Sequence, residues 1–411
     1  MNAVGIDVSK GKSTVAILQP FGVVVAAPYD VSHTGSDLKA LACAIKKLHG
    51  ETRIVMEATG NYYEPIARYL HEQGIFVSVV NPMLISDFGG NTLRKAKTDK
   101  KDAVKIASYA LNYWLELTQY QPQEDLRRSL KMLNRQYQTA VKVQTTLNNN
   151  LISLTDLTFP GINKLFFSPK RNRDGHLKWI DFLLEFPHRD CVAKLSLSIF
   201  KRKYQRWCEK SSYHYCINKA KEIHCFARET VAGVPLNESV SSMVKQAATF
   251  LNSSLENSNA LITEMNRISA LLPEYETVMN MFAVGETVGP QLMAEIGDPR
   301  RFHSGKAITA YFGYDTEPDD SGQHTSTSRP MTKKGTSALR RALFTIMLVM
   351  LQRCPSDDPI YQFLDKKRSE GKHYYCYMNA AANKFLRIYR AKVCEALNNA
   401  DRVDSSNAVY S

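Results

Sequence analysis

The chain has 411 residues, 44% hydrophobic and 23% charged, with 53 Lys and Arg against 40 Asp and Glu and a net charge of +13. That composition excludes a disordered acidic tail and a fibrous repeat, and the length predicts about two to four domains, each able to bury its own core. The longest apolar run, Ala342 to Leu351, is about half the roughly 20 residues needed to cross a bilayer, so no membrane association is expected.

Three short apolar runs, Ala3–Val8, Thr14–Gln19 and Val23–Pro28, separated by glycine-bearing turns, predict an antiparallel meander. Leu38, Leu41, Ala44, Ile45 and Leu48 recur at helical spacing. A strand at Arg53–Ala58, a helix near Glu64–Glu72, a strand at Ile75–Val80 ended by Asn81-Pro82, and a helix at Lys101–Trp114 follow. This is the element order of a ribonuclease-H-like α/β domain, expected over residues 1–115.

From Leu126 the apolar positions are 126, 130, 133, 137, 140, 147, 151 and 154, a four-three alternation whose seam is broken only at Gln144. Such a coiled-coil-like helix needs a partner, and a second copy of the chain is one candidate. Pro160-Gly161 stops it. The aromatic and basic stretch from 162 to about 235 (Trp179, Phe182, Phe186, Tyr204, Trp207, Tyr213, Tyr215) reads as mostly helical, and a second long amphipathic helix runs from about Val240 to Leu272. A helical region is thus expected over 116–275. Beyond it, over 276–411, glycines at 285, 289, 297, 305, 313, 322 and 335 punctuate short helical segments of a compact, mainly helical domain. Gly285 and Gly289 ahead of Leu292-Met293-Ala294 form a weak helix-hairpin-helix pattern, which would offer backbone N–H groups to phosphate but is more often an ordinary interhelical turn.

Basic residues cluster at Arg94, Lys95, Lys97, Lys100, Lys101; at Lys170, Arg171, Arg173; at Lys201, Arg202, Lys203, Arg206; at Lys333, Lys334, Arg340, Arg341; and at Lys366, Lys367, Arg368, Lys372. Five patches suit a nucleic-acid track better than one small anion, because each neutralised phosphate releases counterions. The plain alternative is a solvated surface. The eight cysteines form no CxxC pair, and the spacing of Cys208, Cys216 and Cys225 among His214 and His224 fits no common zinc site, so reduced thiols are expected. Met1-Asn2-Ala3-Val4 runs into a strand without signal-peptide features, which predicts a cytoplasmic location, in the cytosol or nucleoid of a bacterium or archaeon.

Asp7 inside one apolar strand and Glu57 at the end of another are costly placements without a positive partner. Asp99 and Asp102, at i and i+3, share one face of a helix's first turn. Four acids from three elements could converge. Two carboxylates about 4 Å apart repel by about 4 kcal/mol at an effective dielectric near 20, so converging acids must take up protons or a divalent cation, and hard oxygen donors select Mg²⁺ or Mn²⁺. The competing reading makes Asp99 an N-cap, Asp102 its first-turn companion and Asp7 a partner of the adjacent turn. Gly5-Ile6-Asp7-Val8-Ser9-Lys10-Gly11-Lys12-Ser13 misses the spacing of a phosphate loop and leads into a strand, so no nucleotide cofactor is expected.

Gly5-Ile6-Asp7-Val8-Ser9-Lys10, Met56-Glu57-Ala58-Thr59-Gly60 and Lys97-Thr98-Asp99-Lys100-Lys101-Asp102-Ala103 together resemble the DEDD domain of the insertion-sequence transposases of the family numbered one-ten, relatives of the Piv invertase. The resemblance continues through Phe159-Pro160-Gly161, Ala294-Glu295-Ile296-Gly297, Tyr311-Phe312-Gly313-Tyr314, Asp320-Ser321-Gly322, Lys334-Gly335 and Leu339-Arg340-Arg341-Ala342-Leu343. It implies a RuvC-like fold whose Asp7, Glu57, Asp99 and Asp102 bind Mg²⁺, and a serine nucleophile, Ser321, in a carboxy-terminal transposase domain. Nothing in the local sequence singles out Ser321, since Ser-Gly is a common turn dipeptide. Where the family usually shows Gly-Leu-x-Pro, this chain has Gly313-Tyr314-Asp315-Thr316, with proline delayed to Pro318.

The resemblance further implies cutting and rejoining of donor and target DNA through a phosphoserine, a bridge RNA that selects both, and a homo-oligomer, a dimer or dimer of dimers, that joins the metal site to Ser321. Lys334, Arg340 and Arg341 are candidate phosphate contacts. A site-specific invertase is a close variant. A metal-dependent structure-selective nuclease with Ser321 as a mere turn residue, and a nucleic-acid-binding scaffold, are readings from other classes.

Overall fold

The computed structural model describes residues 1–88, 98–122, 124–167, 169–315, 320–321, 324–325 and 331–409, without the side chains of 320–321, 324–325 and 403–409. Arg94, Lys95 and Lys97 of the first basic patch, and Thr316, Pro318 and Gly322, lie outside the described residues. The chain divides into two compact units, Met1–Gln123 and Glu124–Ser411.

The first unit is built from β1 (Asn2–Val8), β2 (Lys12–Gln19), β3 (Val23–Ser32), α1 (Gly35–Lys46), β4 (Thr52–Glu57), α2 (Tyr63–Glu72), β5 (Phe76–Val80), α3 (Pro82–Phe88) and α4 (Asp99–Asn112). Its five-stranded sheet has the order β3-β2-β1-β4-β5, with β1, β2 and β3 antiparallel and β1, β4 and β5 parallel. This is the ribonuclease-H-type mixed sheet that the element order predicts. Strand alternation splits the core: Val4, Ile6, Val8, Ile54 and Met56 face α1 and α2, whereas Ala3 and Val55 face α4 through Ile106 and Ala110.

Two details differ from the sequence reading. The third strand continues through Pro28 to Ser32, which an edge strand tolerates because one side of its ladder is unpaired. Helix α4 starts at Asp99 rather than Lys101, because Thr98 is its N-cap and its Oγ1 accepts from Lys101 N at 3.4 Å.

The second unit contains α5 (Asp125–Thr158), α6 (Ile162–Leu165), α7 (Lys178–Glu185), α8 (Asp190–Ala193), α9 (Leu197–Lys210), α10 (Ile217–Glu229), α11 (Glu238–Ser269), α12 (Tyr275–Met279), α13 (Gly289–Ile296), α14 (Gly305–Tyr311), the minimal strands β6 (Asp320–Ser321) and β7 (His324–Thr325), α15 (Ser337–Arg353), α16 (Pro359–Ser369) and α17 (Tyr374–Val409). Helices α5 and α11 pack against each other along their lengths. The partner of the seam therefore lies within the same chain, and at its break Gln144 accepts a hydrogen bond from Ser258 Oγ at 3.5 Å. One end of the pair, with Leu151, Val244, Leu251 and Leu255, joins a core made with α6 to α10; the other, with Leu130, Met265 and Ile268, joins a core made with α12 to α17.

The first of these cores absorbs the aromatic stretch. Trp179, Phe182, Phe186, Tyr204 and Trp207 are all buried, in edge-on and stacked ring pairs, so they serve packing rather than base stacking. In the second core, α13 is buried along its whole length, and a Cβ at Gly289 would overlap Met279 Sδ. Gly285 thus lies in an exposed interhelical turn, whereas Gly289 opens a helix that is packed into the core. The expectation of only short helices beyond residue 275 also fails: α15 and α17 span 17 and 36 residues, because glycines thin out after Gly335 and apolar periodicity resumes.

A buried bidentate pair closes the second core, Arg127 on α5 donating through both terminal nitrogens to Glu274, which is fully inaccessible to solvent. Replacing one partner leaves a buried charge uncompensated, whereas replacing both removes the desolvation cost as well. Arg127→Met should lower the unfolding free energy by about 3–5 kcal/mol, and Arg127→Met with Glu274→Met should restore most of it in urea titrations.

Candidate active site

Asp7 is the one acid of β1, next to its last residue, and Glu57 is the last residue of β4. The parallel register pairs Gly5 with Val55 and Ile6 with Met56, so Asp7 and Glu57 follow at neighbouring positions on the two central strands. By alternation both belong to the face covered by α4. Helix α4 runs antiparallel to β1: its Ala103 and Ala107 lie at Gly5, and its Ala110 packs with Ala3 farther down the strand. The first turn, bearing Asp99 and Asp102, is therefore carried to the end of the sheet where Asp7 and Glu57 stand. All four acids share that end and that face.

Gly5 makes the approach possible. A Cβ there would overlap Ala103 O and Ala107 N, so helix and strand meet backbone to backbone. A glycine inside an apolar strand is the signal for such an approach, and the sequence reading quoted Gly5 without drawing that role from it.

Asp7, Glu57 and Asp102 are half-buried and Asp99 is exposed. Glu57 accepts a hydrogen bond from Thr59 Oγ1 at 3.4 Å. Because Thr98 caps α4, the capping explanation of Asp99 falls away, and its carboxylate bears instead on Lys12. The Lys12 ammonium is held above its ordinary pKa, first by its hydrogen bond to Asp30 and to a smaller degree by Asp99. Among the described residues no three His, Cys, Asp or Glu side chains are drawn close enough to hold one ion. Carboxylates at one partly open end are the hard oxygen donors suited to Mg²⁺ or Mn²⁺.

Ser321 lies in the β6–β7 hairpin, its backbone in register with His324; its side chain is outside the described residues. The neck of the segment that bears it is well defined. Lys333 N donates to Gly313 O at 3.2 Å, Thr332 N to Asp315 O at 3.0 Å, and Thr332 Oγ1 to Asp315 Oδ1 at 2.6 Å. Gly313, at φ +67°, and Gly335 are both tight: a Cβ on the first would overlap Lys334 N, and one on the second Phe312 Cα. Arg340 Nη1 donates to Gly335 O at 2.7 Å and to Phe312 O at 3.3 Å, tying the two ends of the segment together. Arg340 is thus occupied by backbone carbonyls. Arg341 is exposed and donates to Gln138 Oε1 of α5 at 2.7 Å, and Lys334 is exposed. The remaining cysteine question closes simply, all eight being free thiols.

A mixed sheet ending in a DEDD set, together with a serine-bearing hairpin on a helical core, defines a DEDD-type transposase. Residues 4–160 match the family model of the IS110 transposase DEDD domain, and residues 275–362 match that of the IS116/IS110/IS902 transposase family. The chain belongs to the IS110 family of insertion-sequence transposases. It is 24% identical over 138 residues to the pilin gene-inverting protein of Moraxella bovis, covering 33% of this chain and 43% of that protein. It is 23% identical over 126 residues to the pilin gene-inverting protein of Moraxella lacunata, covering 31% and 39%. The chain thus spans about two fifths of the length of these relatives. A RuvC structure from Thermus thermophilus aligns at 14% identity and a TM-score of 0.22, over 28% of this chain and 96% of that one.

The neck geometry separates the two neighbouring arginines. Arg340→Ala should lower the unfolding free energy by about 1–3 kcal/mol, since its half-buried carbonyl partners lose a charged donor, and Arg341→Ala by less than about 0.5 kcal/mol. Equal losses in urea unfolding would contradict the assignment of Arg340 to the neck.

Proposed function

We propose that the protein is a DNA recombinase of the transposase type, which cuts and rejoins donor and target strands with Ser321 as nucleophile and a divalent cation held by Asp7, Glu57, Asp99 and Asp102. The observation that supports the reading is the packing of α4 at Gly5, which carries Asp99 and Asp102 toward the sheet end that bears Asp7 and Glu57. Family membership supports the remainder.

The serine chemistry conserves bonds. As Ser321 Oγ forms its bond to phosphorus, the bond from phosphorus to the departing sugar oxygen breaks; the hydroxyl loses its proton and the sugar oxygen gains one. One phosphodiester replaces another, so no nucleoside triphosphate is needed for rejoining. A divalent cation, when bound, supplies positive charge against the negative charge that accumulates on phosphate oxygens. Asp7 and Glu57 approach from the rigid strands and Asp99 and Asp102 from the helix. Arg340 holds the neck of the serine segment, and Lys334 and Arg341, both exposed, are the candidates for phosphate contact. Selection of sites by a bridge RNA and assembly of two or four copies belong to this proposal on the strength of the family alone.

DNA inversion is the second reading, favoured by the similarity to the two pilin gene-inverting proteins. The two differ in what is joined, and sequencing of junctions formed from a substrate with inverted sites separates them.

Ser321→Ala should abolish a denaturation-resistant protein–DNA adduct, whereas a nuclease using water would release free ends and form no adduct in either protein. Asp7→Ala or Asp102→Ala should reduce strand cleavage by about 10²-fold or more with duplex affinity nearly unchanged, and undiminished cleavage would remove the metal assignment. Gly5→Ala should lift the first turn of α4 from the strand and weaken Mn²⁺ binding by about tenfold in titration calorimetry, although it removes no carboxylate. Recombination assayed with and without RNA that co-purifies with the chain tests the guide.

A further inference from the structure

Residues 161–274 fall between the two segments that match family models. Most of them build the helical core of α6 to α10 around one end of the α5–α11 pair. Its outer surface carries a strongly basic element with no role so far. Helix α9 reads LSIFKRKYQRWCEK, five cations against one acid, Glu209. Phe200, Tyr204, Trp207 and Cys208 turn into the core. At 100° per residue, Arg202, Lys203, Arg206 and Lys210 then occupy one outward arc, and all four are exposed. None of the four pairs with a carboxylate among the described residues, and Glu209 is engaged by Gln205 at 3.0 Å.

The tertiary structure extends this stripe with a second cluster that the sequence separates from it by about 30 residues. Arg171 Nη1 donates to Ser211 O, just beyond the end of α9, at 2.7 Å, while its other nitrogens hold Asp174. The loop bearing Lys170 and Arg173, both exposed, is thereby tied to the carboxyl end of α9. The two basic clusters thus adjoin at the carboxyl end of α9, with Arg173 also facing Asp174 at 3.5 Å.

We infer that the outward face of α9, continued by the 170–173 loop, is a docking surface for the phosphate backbone of duplex DNA. This rests on the reading of the chain as a DNA recombinase. From Arg202 to Lys210 the helix rises about 12 Å, over which one strand of a duplex presents about three or four phosphates. Charge complementarity therefore matches in density as well as sign. The occupant is a duplex rather than a single-stranded RNA because single strands are held largely by stacking on exposed rings, and every aromatic residue of α9 is buried. The contact reads no bases; it adds length-dependent, salt-sensitive affinity and orients the helical core on the substrate.

The test uses the full chain and fluorescence anisotropy across a salt series, with a 30-base-pair duplex DNA and a single-stranded RNA of equal length. Arg202→Gln, Lys203→Gln and Arg206→Gln together should flatten the slope of log affinity against log salt for the duplex by about 2–3, at about 0.9 per phosphate contact. The same charge removed at Lys39, Lys46 and Lys47, exposed on α1 and at its end, should change it by less than about 0.5. Glu209→Gln, which deletes the lone acid from the stripe, should tighten duplex binding several-fold. Equal slope changes in the two triple variants overturn the surface while leaving DNA binding by the chain intact. A larger loss for the RNA than for the duplex overturns the choice of partner, and failure of the unaltered chain to bind duplex at all overturns both this surface and the recombinase reading.

Discussion

The contact on which the candidate chemistry depends is made by backbones. Helix α4 lies against the central strand β1 at a distance that no side chain at position 5 would permit, and Ala103 and Ala107 complete the fit from the helix side. Close packing of this kind leaves little freedom to slide, because any shift opens a void or drives atoms together. The consequence is electrostatic. Two carboxylates arrive on strands and two on a helix turn, each on an element whose own burial is worth far more than the repulsion it brings. Val4, Ile6, Ile54, Val55 and Met56 are fully buried in the two central strands, and they anchor the acids at the strand ends.

The second unit follows a different logic. Its frame is the α5–α11 pair, which shares one core with α6 to α10 and another with α12 to α17. The Gln144–Ser258 contact at the break in the seam and the Arg127–Glu274 pair in the second core are polar fixtures in otherwise apolar interfaces. Polar contacts of this sort suit only one register, since slippage leaves their groups unsatisfied in a dry interior. The segment carrying Ser321 leaves this frame through a neck where two glycines meet opposing backbone and Arg340 bridges two carbonyls. Arg340 holds this place because its planar guanidinium can serve two acceptors at once. Adjacent Arg341, one position around the helix, faces solvent and Gln138 instead.

Much of this was legible from the chain itself. The strands and helices of the first unit follow from period-two and period-3.6 patterns over short distances, and Asp7 and Glu57 stand out because ionisable groups are costly where those patterns place them. Two readings left open by the sequence are decided by different means. The capping alternative for Asp99 gives way to the neighbouring Thr98, whose Oγ1 takes the N–H, a local competition between adjacent residues. The partner of α5 is α11 of the same chain, which depends on what lies across the fold, and residue type alone carries no record of that.

The sequence by itself determined the element order of the first unit, the two long helices that became α5 and α11, and the family, since these rest on local periodicity and on motifs within short stretches. Only the tertiary structure decided that α5 pairs with α11 of its own chain, that Gly5 seats α4, that Arg340 ties a neck, and that two basic clusters adjoin. Those outcomes turn mostly on contacts between residues from about 30 to more than 100 positions apart. Which of many possible long-range contacts forms is settled by mutual packing and hydrogen-bond satisfaction of whole elements, a property of the assembled core rather than of any segment.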